Sequence, residues 1–476
     1  MKNFYVTTSI PYVNGEPHLG HAMEFVMADV LARQARINGD KVIYSTGTDE
    51  HGGKISEKAE ASGISAQELA DSMSEKFKTL ADQLNISYDK FIRTTDEDHQ
   101  KTAQIIWKNL EKDIYKSKYA GWYCTGDEAF FSEEEVKDNK GICPNHNRKY
   151  ERIEEENYFF KLSSYSDQIR QAIEKADLLI IPDSNRNEIL NVIKDGLEDI
   201  SISRPKDKIN WGIAVPGDDD QVMYVWFEAL MNYITGLGYP NDQKFKDFWP
   251  ANVQVIGKDI IRFHAAIWPA MLISLGLPLP KKLYVHSFVT FNGKKMSKSL
   301  GNSVAPSEII EKYGADAFRF YFLKHIPSYN DGDFSWDAFE AAYNNELANE
   351  LGNALSRTAA MISSYQDGKI GVMPDFKINP EVYNSALEQC RFDRAMDEIW
   401  EHVRGLNQYI EKQQPWVVAK TDAKKLQQIL AHQVAVLLQI AELLKPMLPA
   451  TADKIVSVFG SGTIKPLSGT LFPKNG

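Results

Sequence analysis

The apolar and polar pattern opens with FYVTTSI (residues 4–10), a short β-prone run that ends at Pro11 and the Asn14-Gly15 turn. Over residues 18–37 the period changes, and Leu19, Phe25, Val26, Val30 and Leu31 recur at helical spacing. Asn38-Gly39-Asp40 stops that helix, and KVIYST (41–46) reads as the next strand. Strand, helix and strand form a βαβ unit, with parallel strands and a right-handed crossover expected. A ligand then belongs outside the carboxyl ends of those strands, near residues 9–15 and 46–52.

Strand patterns return at NVQVIG (252–257) and KLYVHSFV (282–289), with the apolar, helix-prone IRFHAAIWPAMLISLG between them. Residues 116–215 have another texture, rich in charge and aromatics and containing CTGD and CPNH. They read as an insertion within one nucleotide-binding domain. Beyond about residue 344 the pattern is almost wholly helical, with amphipathic stretches at 345–364, 384–413 and 423–446. The expected division is therefore an α/β domain in two halves (1–115 and 216–343), the insertion (116–215) and a helical bundle (344–476). No internal repeat or low-complexity tract interrupts this plan.

Composition narrows the function classes. The 476 residues suffice for several domains, and 43% hydrophobic with 25% charged content is ordinary for a soluble protein. With 54 basic and 65 acidic residues the formal charge is −11, so no global basic field exists for gripping nucleic acid. A nucleic-acid partner would need a local basic stripe. The N-terminus lacks the basic-then-apolar pattern of a secretory signal, and no stretch approaches the roughly 18–20 apolar residues that span a bilayer. Three cysteines, Cys124, Cys143 and Cys390, make no disulfide framework. A soluble cytoplasmic chain, without a membrane partner, is expected.

Two stretches carry candidate chemistry. PHLGH (17–21) falls at the start of the first helix, where unpaired N–H groups and a partial positive charge suit phosphate. His18 and His21 are three apart and share a face, while Gly20 lets a flat ligand approach the backbone. Alone, this is an ordinary pair of surface histidines. KMSKS (295–299) changes the weighting: such a five-residue match arises by chance about once in several thousand chains of this length. It is a Gly-flanked loop carrying lysines, whose point charges suit a pyrophosphate. Following KLYVHSFV, it is expected at the same sheet edge as PHLGH, so two phosphate devices converge on one crevice.

PHLGH resembles the HIGH motif, and KMSKS the second signature, of class I aminoacyl-tRNA synthetases. SIPYVNGEPHLGH, TGTDEHG, YVWFEA, GKDIIRFHAAIWPAML, NGKKMSKSLGN, LGNALSR and QQPWVVAK resemble segments of the methionyl-tRNA synthetase family, in that family's order and over essentially the whole chain. The resemblance implies a Rossmann-like parallel-sheet catalytic domain with an inserted connective domain, followed by an all-α anticodon-binding bundle. It implies activation of L-methionine by ATP, with Mg²⁺ accompanying the nucleotide, and transfer to the 3′ end of tRNA(Met), initiator tRNA included.

Residue by residue, the resemblance implies that His18 and His21 serve the phosphates from the helix end, with Lys298 first and Lys295 second from the loop. Gly20, Gly257 and Asp259 join the ATP site. Ile10, Tyr12, Asp49, Trp226, Ala229, Tyr233, Ile260 and His264 form the methionine pocket. Aromatic walls match a polarizable thioether, and Asp49 suits the substrate ammonium. Leu230 stands where many relatives have proline.

Asn353, Arg357 and Trp416 match positions that read the CAU anticodon. Asn353 and Arg357 share a helix face, and Trp416 after Pro415 suits stacking on a splayed base. In the insertion, many relatives bind zinc through two Cys-x-x-Cys pairs. Here the corresponding set is Cys124, Asp127, Cys143 and His146. A Cys₂-His-Asp tetrahedron is chemically feasible for zinc, and relatives without the metal also carry aspartate there, so both readings stand. At about 100 residues the insertion is too short for the hydrolytic editing domain of the valine, leucine and isoleucine enzymes. A cysteine-specific enzyme would need a thiolate-binding zinc site at the crevice, near which no cysteine is expected, and a tRNA-binding paralogue would not need His18, His21 and Lys298 together. The chain ends at LFPKNG without the appended domain that dimerises some relatives, and a monomer is expected.

Overall fold

The computed structural model describes residues 1–126, 129–131, 133–144, 147–295, 304–460, 463–467 and 469–473. Six strands form the central sheet: β1 (Asn3–Thr8), β2 (Lys41–Thr48), β3 (Lys90–Arg93), β4 (Leu179–Ile181), β5 (Val253–Gly257) and β6 (Lys282–His286). Their spatial order is β3-β2-β1-β5-β6-β4, and every neighbouring pair is parallel. The order reverses between β1 and β5, so the ligand-binding switch point of an open α/β sheet lies there.

Helix α1 (Leu19–Ile37) follows β1 and is buried on most of its surface. Two of its buried residues are acidic, Glu24 and Asp29. Asp29 pairs with Arg33 at 2.7 Å and with the enclosed Arg319 at 2.8 Å. Burial would raise the Asp29 carboxyl, but the two guanidinium groups outweigh it and hold it below its usual range. Arg319 also donates to the carbonyls of Met447 and Pro446, at 2.7 and 2.8 Å. The helix that starts at PHLGH is thus tied to the C-terminal helices through one buried arginine.

The structure departs from the sequence reading in three places. KLYVHSFV is not one strand: β6 ends at His286, and Val289–Phe291 belongs to a separate three-stranded sheet with Gly332–Phe334 and Lys294–Lys295. The break comes from a partner distant in sequence. Phe288 N–H donates to Asp331 Oδ1 at 2.9 Å, and Gly332 N–H donates to the Phe288 carbonyl at 3.0 Å. KMSKS therefore follows this small sheet and not the large one. Second, β4 lies within residues 116–215 yet pairs with β6. The other strands of that region pair antiparallel, dominated by the long ladder of Ile114–Cys124 with Glu151–Phe160. Third, the helical stretch at 384–413 is two helices, Glu381–Glu388 and Phe392–Gln413, parted at Cys390 with its positive φ of 54°.

The remaining C-terminal helices follow the pattern. Trp336–Ala342 runs through a π-helical segment, Tyr343–Gly352, into Asn353–Gln366, and Ala423–Leu444 and Pro449–Phe459 complete the bundle. Among the described residues, no helix is long and apolar enough to cross a membrane.

Candidate active site

A cavity open to solvent lies at the switch point. Ile10, Asp49, Trp226, Ala229, Tyr233, Ile260 and His264 line it, together with Ser9, Leu230, Asn232 and Phe263. Tyr12, the eighth residue expected at the amino-acid pocket, packs beside it with its ring tilted on Trp226 at 5.8 Å. The turns after β1 and β2 are joined here. Asp49 N–H donates to the Pro11 carbonyl at 2.9 Å, and Val13 N–H donates to the Asp49 carbonyl at 3.0 Å.

The deep wall is polar but uncharged. Tyr233 Oη lies 2.6 Å from His264 Nε2, and His264 Nδ1 lies 3.0 Å from the Ile260 carbonyl. The carbonyl can only accept, so Nδ1 carries the proton and Nε2 accepts from the phenol. Burial pushes the His264 imidazolium down to about 4 and the Tyr233 phenol well above its ordinary value, so both are neutral at pH 7. A π-helical turn over Phe263–Ile267 sets His264, and such turns widen a helix at ligand sites. The chamber thus combines aromatic walls, one neutral hydrogen-bonded pair and the Asp49 carboxylate.

The two histidines expected to serve the phosphates lie at the start of α1. His18 Nδ1 accepts from the His21 N–H at 3.4 Å, and His21 Nδ1 accepts from the His18 N–H at 3.3 Å. This reciprocal cap uses the Nδ1 lone pair of each ring, so each neutral imidazole holds its proton on Nε2 and is a donor there. The rings stack at 3.5 Å, with His21 against Phe77. A methyl group at Gly20 would come within 3.1 Å of His18 Cε1. Across the crevice, Asp259 is exposed just beyond β5, and a methyl group at Gly257 would come within 2.7 Å of its Oδ1.

One turn along α1, Glu24 binds the two sides of the crevice together. Its Oε1 accepts from both the N–H and the hydroxyl of Ser9 at 2.6 Å, and its Oε2 lies 2.9 Å from His286 Nε2. His286 Nδ1 lies 3.0 Å from the Ser287 carbonyl, so both ring nitrogens face acceptors and the imidazolium is the form that fits. Burial alone would depress His286, but the Glu24 carboxylate outweighs it and raises it above the ordinary imidazole range.

The family pattern described as "tRNA synthetases class I (M)" matches residues 4–153 and 146–359, and that of the "Anticodon binding domain of methionyl tRNA ligase" matches 365–466. The chain belongs to the methionyl-tRNA synthetase family. It is 44% identical to the methionine–tRNA ligase of Caldanaerobacter subterraneus subsp. tengcongensis, over 96% of this chain and 74% of that relative. It is 42% identical to that of Brucella melitensis biotype 1, over 97% of this chain and 92% of the relative. Its fold matches the Mycobacterium tuberculosis methionyl-tRNA synthetase in complex with methionyl-adenylate, at TM-score 0.93 and 36% identity, over 99% of this chain and all of the other. The free-state form of that enzyme matches at TM-score 0.86, over 100% of this chain and 99% of the other.

The second signature of this synthetase is only partly described. Lys295 closes the short strand Lys294–Lys295, paired with Thr290, while Lys298 lies outside the described residues. In the connective region Cys124 and Cys143 are buried in one small core with Val136 and Tyr150. Asp127 and His146 lie outside the described residues. Among the described residues no group of three His, Cys, Asp or Glu could hold a metal ion.

At the far end, the Arg357 guanidinium lies 5.3 Å from the centre of the half-buried Trp416 ring, and its Nη1 pairs with Glu411 at 2.8 Å. Asn353 is exposed one helical turn away on the same helix. The synthetase therefore brings the three anticodon candidates to one end of the bundle.

Several residues at the crevice escaped the sequence reading. Asn232 and Phe263 line the cavity beside Ser9, which lies in the stretch expected near the ligand, and Glu24 and His286 span it. The one available signal was Glu24 itself, an acid three residues past His21 inside an apolar helical run.

Proposed function

We propose that this methionine–tRNA ligase activates L-methionine with ATP to methionyl-adenylate and pyrophosphate, then transfers the methionyl group to the 3′ end of tRNA(Met), including the initiator. The observation that carries the reading is one crevice with two compartments. A neutral aromatic chamber with a single carboxylate at its edge adjoins a helix start that presents imidazole N–H donors.

In this reading the thioether lies against Tyr12, Trp226, Tyr233 and His264, and the ammonium pairs with Asp49. Ile10, Ala229 and Ile260 complete the apolar enclosure. The methionine carboxylate oxygen attacks the α-phosphorus of ATP, and the bond to the β-phosphate breaks with pyrophosphate leaving. Catalysis comes from holding that line of attack and from neutralising charge as it moves onto the phosphates. His18 and His21 supply Nε2–H donors there, Gly20 admits the nucleotide, and Lys298 with Lys295 closes on the pyrophosphate. Gly257 and Asp259 serve the nucleoside side, and Mg²⁺ arrives with ATP. A tRNA ribose hydroxyl then attacks the adenylate carbonyl carbon and AMP leaves, while Asn353, Arg357 and Trp416 read the anticodon.

Amino-acid-dependent ATP–pyrophosphate exchange, run across all the amino acids, tests the assignment. Methionine is expected to support exchange. Exchange with another amino acid and none with methionine would overturn the reading.

A further inference from the structure

One buried charge cluster takes no part in the roles assigned above. Glu228 is fully enclosed on the short helix Val225–Ala229, whose Trp226 and Ala229 line the cavity. One of its carboxylate oxygens accepts from His51 Nδ1 at 2.7 Å, and the other accepts from His99 Nε2 at 2.9 Å. His99 Nδ1 meets Thr235 Oγ1 at 2.8 Å. Three separate segments therefore converge on one carboxylate: the turn after β2, the helix Glu97–Asn109 and the helix Val225–Ala229.

The first of these segments matters most, because His51 lies two residues beyond Asp49. The turn is also fastened by Trp211. Its ring tilts against His51 at 5.5 Å, its Nε1–H donates to the Glu50 carbonyl at 2.6 Å, and its carbonyl accepts from Gly52 N–H at 3.0 Å. Trp211 holds the backbone of the turn, and Glu228 sets the distance from the turn to the Trp226 helix.

A carboxylate withdrawn from water is costly unless each oxygen meets a matched donor. Apolar side chains of similar volume would fill the junction without that penalty, so stability alone does not account for an acid here. Two N–H···O bonds add direction: they fix the angle between turn and helix more narrowly than apolar contact does.

We propose that Glu228 is a positioning residue for the amino acid: through His51 it holds the turn bearing Asp49 in register with the helix bearing Trp226 and Ala229, while His99 completes its second oxygen. The inference rests on Asp49 being the ammonium partner. Loosening the cluster then separates the charge contact from the thioether contact and leaves the nucleotide compartment on α1 untouched.

The test uses the full chain in ATP–pyrophosphate exchange, titrating methionine and ATP separately for His51→Leu, His51→Asn, Glu228→Gln and Asp49→Asn. Asparagine places an amide N–H where Nδ1–H stands, so it is the conservative replacement. His51→Leu and Glu228→Gln are expected to raise the methionine KM about tenfold or more with the ATP KM within about twofold, and His51→Asn to recover most of the loss. If Asp49→Asn raised the methionine KM while His51→Leu and Glu228→Gln left it unchanged, the positioning role alone would be overturned. An unchanged methionine KM in Asp49→Asn would remove the ammonium assignment on which it rests. Parallel losses in kcat and both KM values with a lowered Tm, or failure of both His51→Leu and Glu228→Gln to fold, would make the cluster structural and overturn the proposal.

Discussion

The Tyr233 hydroxyl donates to His264 Nε2 at 2.6 Å inside the cavity, and no charge is present in the pair at neutral pH. Tyr233→Phe removes the donor and leaves a buried acceptor without a partner, a change worth about 1–3 kcal/mol. The methionine KM in exchange assays is expected to rise about tenfold while the ATP KM holds. Equal changes in both constants would show that the pair does not belong to the amino-acid compartment.

The same pair predicts a pH dependence with a definite sign. His264 is held at about 4 by burial, below the 6.5 of an exposed imidazole. Between those values the unfolded chain binds a proton that the folded protein refuses, so stability falls as pH drops through the window. The full contribution approaches about 3 kcal/mol. In His264→Gln this part of the profile should vanish, read as the wild-type minus variant difference in urea midpoint at pH 4–8.

Glu24 and His286 predict the opposite sign. The carboxylate raises His286, so the pair stabilises fully below the ordinary imidazole pKa and the contribution fades as pH rises through the raised value. Glu24→Gln leaves a buried imidazole facing a neutral amide and should cost about 3–5 kcal/mol at low pH. The gap from wild type should narrow in alkaline buffer. A gap that widened with pH would contradict the imidazolium assignment.

These pairs mark the limit of what the sequence shows. Continuous apolar runs and breakers placed β1, β2, β5 and α1, because their signals are local. Leu179–Ile181 belongs to a short apolar run between Asp177 and Asp183, too short to stand out, and becomes a strand only by pairing with β6. KLYVHSFV hid its break because the hydrogen bonds that divide it come from residues 331–332. The pairing of Glu24 with His286, and of Glu228 with His51 and His99, stayed hidden, since a local pattern cannot show that each has a partner far along the chain. The cavity-lining residues came from family resemblance, and the structure adds the partners that hold them.

Two glycines separate stability from chemistry. A methyl group at Gly47 would sit 1.9 Å from the Ile92 carbonyl oxygen, so Gly47→Ala must part β2 from β3 and should cost more than about 4 kcal/mol. At Gly257 the obstruction is the movable Asp259 carboxylate. Gly257→Ala should keep its Tm nearly unchanged yet raise the ATP KM about tenfold, with methionine little affected. Thermal unfolding and paired titrations would check both.

The helix Phe392–Gln413 packs Phe392 against Tyr284 of β6 and ends just before Trp416. About 30 Å of helix therefore separates Trp416 and its neighbour Arg357 from the sheet, and their exchange and charging phenotypes should part accordingly. The Trp416 ring is half-buried against the Arg357 guanidinium, which also pairs with Glu411. A stacked base contributes about 1–3 kcal/mol, so Trp416→Ala should raise the tRNA KM between about 5- and 150-fold while exchange stays within about twofold. Glu411 is largely exposed, and an exposed ion pair contributes little, so Glu411→Gln should leave stability within about 0.5 kcal/mol. Its effect on charging should be small and grow at low salt, because Arg357 keeps its stack on Trp416 without the carboxylate. Loss of exchange in Trp416→Ala would mean that the bundle end acts on the crevice itself, and the anticodon role of this pair would then fail.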